Sequence, residues 1–191
     1  MFKKKLFLLF CLPLILGLFM LSGCGILPVT SVAVGDIYDG GIVAYILVNG
    51  DTGYDPNVQH GLIAATADQH EGATLVWSNI SDTLVGTTGT AIGTGQANTT
   101  AIVGQIGCTY GAAVLCNNLT EGGYSDWYLP SKDELNKLYL NKVTIGGFAE
   151  GMYWSSSEVN AINAWSQDFY DGIQYYANKD GGRRVRAVRA F

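Results

Sequence analysis

At one point in this chain, local chemistry alone dictates where a helix begins. In "GGYSDWYLPSKDELNKLYL", residues 122–140, Ser131-Lys132-Asp133-Glu134 forms a capping box. The serine side chain can accept from the N–H of Glu134, and the glutamate can reach back to the N–H of Ser131. Pro130 disfavours helical backbone at Leu129, so the helix starts at the cap and not before it. Leu135, Leu138 and Tyr139 follow at i, i+3 and i+4, giving one apolar face on a short helix that ends near Asn141. Ser131 and Glu134 are thus accounted for as helix-starting groups.

Elsewhere the chain is punctuated by glycine. It has 25 Gly among 191 residues and only 14% charged residues, which suits a turn-rich β or α+β domain better than a helical bundle. Ile42 to Val48 forms a β-rich run, and "HGLIAAT" and "ATLVWSN" predict two further short strands. Residues 86–100 are a Gly/Thr-rich connector leading into a helix capped by Asn98. No lysine follows the glycines as a phosphate-binding loop requires. "AIVGQIGCTYGAAVLCNNL" predicts one broken helix or two short ones, interrupted near Gly107. After the capped helix, "GMYWSSSE", "INAWSQDFYDGIQYYANKDGG" and "RRVRAVRAF" read as strands, with Asp171-Gly172 as a two-residue hairpin turn. Central helices followed by a β-meander give an α+β class.

The N-terminus sets an address. Lys3 to Lys5 precede an apolar run from Leu6 to Met20, 15 residues interrupted by Pro13. That run is shorter than the roughly 20 residues a membrane-spanning helix needs, and the pattern is that of an export signal. Leu21-Ser22-Gly23-Cys24 resembles the bacterial lipobox, which implies that residues 1–23 are removed and Cys24 is acylated. The partner at that end is a lipid bilayer. Gly25 in the following position resembles the pattern that permits export to the outer membrane or cell surface. Residues 24–34 then form a tether and residues 35–191 the folded domain. Removing the leader takes three of the eleven basic residues and no acid, which leaves eight basic against sixteen acidic side chains, a net −8. An acidic body lacks the basic footprint of a nucleic-acid binder, although Arg183, Arg184, Arg186 and Arg189 crowd the last nine residues.

Two cysteines remain, Cys108 and Cys116. If both lay on one helix they would be about 12 Å apart, beyond a disulfide's reach. A bridge therefore requires Cys108 to precede the helix. Asn79, Asn98 and Asn118 begin N-x-S/T triplets, which in an exported bacterial protein rich in Asn and Thr are read as chance matches.

The ordered series "GGYSDWYLPSKDEL", "YWSSSE", "AWSQDF" and "VRAVRAF" resembles the Lcl C-terminal domain family, from about Gly35 to Phe191. The resemblance implies a C-type-lectin-like α+β fold, related to that of formylglycine-generating enzymes. Its expected features are two main helices, a twisted antiparallel sheet and long irregular loops. On this mapping Trp127, Leu129, Pro130, Trp154 and Trp165 belong to architectural motifs, with the tryptophans expected in the core. Arg186 and Arg189 are expected to pair inside the fold, with Glu134 or Glu158 as candidate partners.

Catalytic groups are not evident. Ser155 to Ser157 lack a G-x-S-x-G setting, His60 and His70 lack zinc-ligand spacing, and no cysteine follows Cys116. Asp51, Asp55 and Asn57 offer oxygens, but Leu62 stands where a calcium loop would place a glutamate. No metal or cofactor is expected. The remaining candidates lie on the late hairpin: Tyr170, Asp171, Gln174, Tyr176, Asn178 and Lys179. Tyrosine there suits sugar rings or protein partners. Tyr175 and its neighbour Tyr176 should point to opposite faces, one of them into the core. The expected function is recognition of an extracellular glycan or protein ligand without catalysis. The competing expectation is a structural or protein–protein module of the envelope.

Overall fold

Short runs of aliphatic and aromatic residues between glycine-rich turns build two separate antiparallel sheets. The computed structural model describes residues 31–191; the leader, Cys24 and the tether up to Thr30 lie outside the described residues. In chain order the elements are β1 (Ile37–Tyr38), β2 (Gly41–Ile46), β3 (Gly61–Ala64), α1 (Gly95–Val103), α2 (Ala112–Asn117), α3 (Lys132–Leu140), α4 (Lys142–Ile145), β4 (Met152–Glu158), β5 (Asn163–Asp168), β6 (Gln174–Asn178) and β7 (Val188–Ala190). The first sheet has the order β1-β2-β3-β7 and the second β4-β5-β6. The last strand thus returns to pair with β3, so the C-terminus closes the sheet that the N-terminal strands begin. Gly41 permits that sheet's tight approach: a Cβ there would lie 2.4 Å from the Ala64 carbonyl oxygen.

The fold is α+β, with four α-helices among the described residues where two main ones were expected. α3 starts at the Ser131 cap with both arms of the capping box formed, as its sequence predicts. The second sheet stands between two apolar clusters. Trp154 of β4 and Ala164 of β5 face one cluster with Trp77, Trp127, Ile102 and Leu129. Tyr153 faces the other with Phe169, Leu135, Leu138 and Tyr128. The buried indole N–H groups all find acceptors: Trp77 donates to the Ser155 carbonyl at 2.7 Å, and Trp154 to that of Leu75 at 2.8 Å. Trp127 donates to the Tyr124 carbonyl at 3.2 Å. Each ring therefore buries its apolar area without stranding a donor.

Several expectations are corrected by tertiary contacts. "ATLVWSN" forms no strand and contributes one bridge, Leu75 opposite Arg183. Asn98 does not cap α1, whose N-cap is Thr94. It is buried inside the helix, where its amide accepts from Gly89 N–H (2.8 Å) and donates to the Gly89 carbonyl (2.7 Å), pinning the 86–94 connector. Cys108 does precede α2, yet both thiols are free; burial pushes that of Cys116 upward in pKa. The β5–β6 connection spans Phe169 to Ile173 rather than two residues, closed by the Asp168 N–H on the Ile173 carbonyl. Arg186 and Arg189 do pair inside the fold, with neither proposed glutamate. Arg186 Nε donates to Asp68 at 2.9 Å, and Arg189 Nε to Asp126 at 2.7 Å. Asp68 and Asp126 lie 118 and 63 residues before their arginines along the chain, which is why local sequence did not single them out.

Candidate functional site

The pairing of β5 with β6 decides which side chains share a surface. Asn163 lies opposite Asn178, Trp165 opposite Tyr176, and Gln167 opposite Gln174. Because side chains alternate along a strand, these six residues occupy one face as an amide pair, an aromatic pair and a second amide pair. The inner end is covered by α3: Gln167 donates to Asn136 at 2.8 Å and Gln174 to the Lys132 carbonyl at 2.9 Å. Beyond the start of α3 the face opens. There Trp165 is half-buried, Tyr176 is 63% exposed and Asn178 is exposed. The two rings meet edge to face at 6.2 Å, and the Lys132 ammonium stands 4.1 Å over the Trp165 ring. That cation holds the indole plane and marks the positive edge of the platform. The Tyr176 hydroxyl and the Asn163 and Asn178 amides make no hydrogen bond among the described residues, so they remain available to a ligand.

Tyr170 and Asp171 lie apart, on the loop that ends β5. Tyr170 N–H donates to Asp168 and Ile173 N–H to Asp171, at 2.8 and 2.9 Å. Gly172 has φ +84°, and a Cβ there would lie 2.3 Å from the Tyr139 ring, so the loop is seated tightly on α3. It presents Tyr170 outward, while Asp171 is used in the turn. Tyr175 points to the other face of β6 and is itself exposed rather than core, because β6 is the outer strand.

Lys179 is the clearest correction among the candidate ligand residues. It is fully buried; Nζ donates to Glu158 at 2.6 Å and to the carbonyls of Ala161 (2.8 Å) and Thr83 (3.2 Å), 4.7 Å over the Trp77 ring. Glu158 in turn accepts from the Val85 and Gly86 N–H groups. Three acceptors and a ring use up this ammonium, which leaves none of it for a ligand. Trp165 is the converse case, a residue expected in the core that stands on the open face. Its cross-strand register with Tyr176 was the signal, legible only once the hairpin loop length is known.

The residues of the capped helix form a closed unit. Glu134 is buried and accepts from Ser131 N–H (2.7 Å) and Gly93 N–H (2.8 Å). The first residue of α1, Gly95, also donates its backbone N–H to it, and a Cβ at Gly95 would collide with Oε2. One carboxylate therefore serves the N-termini of both α3 and α1, where negative charge is favoured. Burial pushes the Glu134 carboxyl above its usual range, and the N–H donors pull it part of the way back. Tyr128 bonds to the same carboxylate, and its hydroxyl is held far above the ordinary tyrosine range, first by burial and then by that charge.

Tyr128 also floors a cleft of about 300 Å³ between the 47–60 loop and the start of α1. Leu47, Leu62, Ile92 and Phe191 supply its apolar wall, with His60 and Gln96 at the polar positions. The His60 ring is engaged at Nδ1 with the Phe191 carbonyl, 3.1 Å away. Its lining comes from five separated stretches of chain, so no sequence pattern announces it. In the neighbouring loop Asp51 accepts from the Tyr45 hydroxyl (2.7 Å) and Val48 N–H, and Asp55 accepts from Asn57 N–H. These carboxylates serve to shape the turn. Burial and Asp51 push the Tyr45 hydroxyl up to about 12.

No curated protein matches the chain. The model of the Lcl C-terminal domain matches residues 65–189, nearly two thirds of the sequence and from just after β3 to within β7. Three of the four motifs that order the second half of the chain fall inside that span, and the fourth, Val185–Phe191, begins inside it and runs two residues past its end. The chain belongs to the Lcl C-terminal domain family.

Proposed function

We propose that this protein is a membrane-anchored extracytoplasmic module that binds a glycan on the Trp165–Tyr176 face without catalysis. One observation carries the reading: an aromatic pair flanked by free amides on an open sheet face, held in place by α3 and Lys132. A sugar ring presents an apolar C–H face, which stacks on aromatic carbon, and peripheral hydroxyls, which bond to amides. Asn163 and Asn178 would meet the hydroxyls, and the Tyr176 hydroxyl adds one more group that can both donate and accept. In this reading the sheet and helices take a C-type-lectin-like arrangement, and the lipobox at Cys24 anchors the domain outside the cytoplasm. A glycan array probed with soluble residues 27–191, with and without chelator, tests it. Chelator-resistant binding that is lost in Tyr176→Ala supports the reading; a blank array from folded protein removes it.

A second reading is favoured by one feature. β6 is an outer strand with no charged side chain among Gln174, Tyr175, Tyr176, Ala177 and Asn178. Such an uncharged edge suits strand addition by a protein partner. Capture of one extended peptide by folded protein, with a blank glycan array, would select this envelope-interaction role.

A further inference from the structure

We propose that the side of the domain where the chain comes in rests on the bilayer surface, seated by Ile37, Val58 and Val143. The inference rests on the lipid-anchor reading of Cys24 and adds the face that meets the lipid. The incoming segment is clamped at two places. Val32 exchanges hydrogen bonds with the Gln59 side chain, N–H to Oε1 and Nε2 to carbonyl, both at 2.8 Å. Gly35 then donates to the Val43 carbonyl at 2.8 Å and packs so closely on α4 that a Cβ would lie 2.7 Å from Thr144 Cγ2.

Three branched aliphatic side chains flank these clamps. Val58 adjoins Gln59, Val143 adjoins Thr144, and Ile37 lies two residues past Gly35. They are 52%, 90% and 77% exposed, in a domain that buries Ile63, Ile102, Val185 and Val188 completely. Leu140, at the end of α3 and three residues before Val143, is exposed as well. Single exposed aliphatics are ordinary, but three gathered around one short segment mark an interaction surface.

Chain length names the occupant. Val32 lies eight residue steps beyond Cys24, an extended reach of at most about 29 Å. A domain of this size is about 40 Å across. A tether that short keeps the incoming side toward the lipid and hinders the far side from turning down onto it. The tether also supplies a high local concentration, so a contact of a few aliphatic side chains suffices. Among the described residues no free cation belongs to the seat: Lys142 is engaged by the Phe169 carbonyl and the Tyr139 ring, and Asp36 lies between Gly35 and Ile37. The contact is therefore apolar at the headgroup boundary and independent of lipid charge.

The test uses the full chain with its leader, produced in a bacterium and purified in detergent. Mass spectrometry reads acyl chains on Cys24, and circular dichroism confirms the fold of each variant. Ile37→Trp, Val143→Trp and, as a position in the α1–α2 connection, Ile106→Trp are placed in phosphatidylcholine nanodiscs with or without brominated acyl chains. The emission added by Ile37→Trp and Val143→Trp should fall by about half in bromolipid, at low and high salt alike, while that of Ile106→Trp stays constant. Equal quenching at all three positions, or none at any, with Cys24 acylated, overturns the proposal and leaves the anchor standing. Quenching abolished by salt overturns it in favour of electrostatic adsorption. An unmodified Cys24 overturns the anchor reading and this proposal with it.

Discussion

Two stretches of similar composition use their aromatic and polar residues in opposite ways. In 127–134, Trp127, Tyr128, Leu129, Ser131 and Glu134 are all buried, and every polar group among them is matched to a named internal partner. In 163–178, Trp165, Tyr176 and Asn178 face outward, and the hydroxyl and amides at the open end have no partner among the described residues. The first stretch holds α1 and α3 together through one carboxylate. The second uses α3 as a backing and presents what is left. Residue type alone does not separate clasp from platform; the separation comes from whether folding has already satisfied each polar group.

This contrast predicts which changes unfold the protein and which spare the fold but alter binding. The largest effect belongs to Glu134→Ala, which leaves the buried Ser131 donor without a partner, removes the acceptor of Gly93 N–H and uncaps two helices. It should cost about 3–5 kcal/mol in urea unfolding; a loss below about 1 kcal/mol would show that water replaces the carboxylate and that the clasp is not closed. Next comes Lys179→Met. It strands the buried Glu158 carboxylate and should cost about 3 kcal/mol, while glycan affinity of the folded fraction by calorimetry stays at the parent value. An affinity loss would put Lys179 back among ligand contacts, against its burial.

Tyr176→Ala should do the reverse. Its stability should stay within about 0.5 kcal/mol of the parent, and the affinity for an array-positive glycan should drop about tenfold or more, roughly 1.4 kcal/mol. An unchanged affinity would move the glycan away from this face. The smallest effect concerns the Arg189–Asp126 pair. Hydrogen bonding to Arg189 holds the Asp126 carboxyl below its usual range. A carboxylate with a lowered folded pKa contributes stability above the unfolded carboxylate range and loses it as pH falls below about 4. With the Asp126 side chain about half exposed, Asp126→Asn should flatten the acid limb of a thermal-melt pH series by only a few tenths of a kcal/mol. No change at all would assign that pair to solvent.

Much of this was legible in the chain itself where a single short stretch carried the physics. The α3 start followed from Pro130, Ser131 and Glu134, because a capping box is closed by atoms within four residues. The strands found at 152–158, 163–168 and 174–178 lie within "GMYWSSSE" and "INAWSQDFYDGIQYYANKDGG", whose aromatic residues between glycines read as strands. Where the deciding partner was distant, local reading failed. Asn98 looked like a cap but is matched to Gly89, Lys179 looked like a ligand contact but meets Glu158, and Arg186 found Asp68.

By itself, then, the sequence determined the α+β class, the capped helix and the series of motifs that mark the family. It also carries the N-terminal pattern from which export and lipidation are proposed. Only the tertiary structure decided which of those polar and aromatic residues remain available. Register between β5 and β6 put Trp165 beside Tyr176, and a five-residue loop, not a two-residue turn, set that register. Glu134 could be read as one helix's cap, but its second helix arrives from Gly93–Gly95, about forty residues away along the chain. The physical reason is the range of the interactions. Caps and turns close within a few residues, whereas burial and ion pairing depend on which distant segments the folded core brings together.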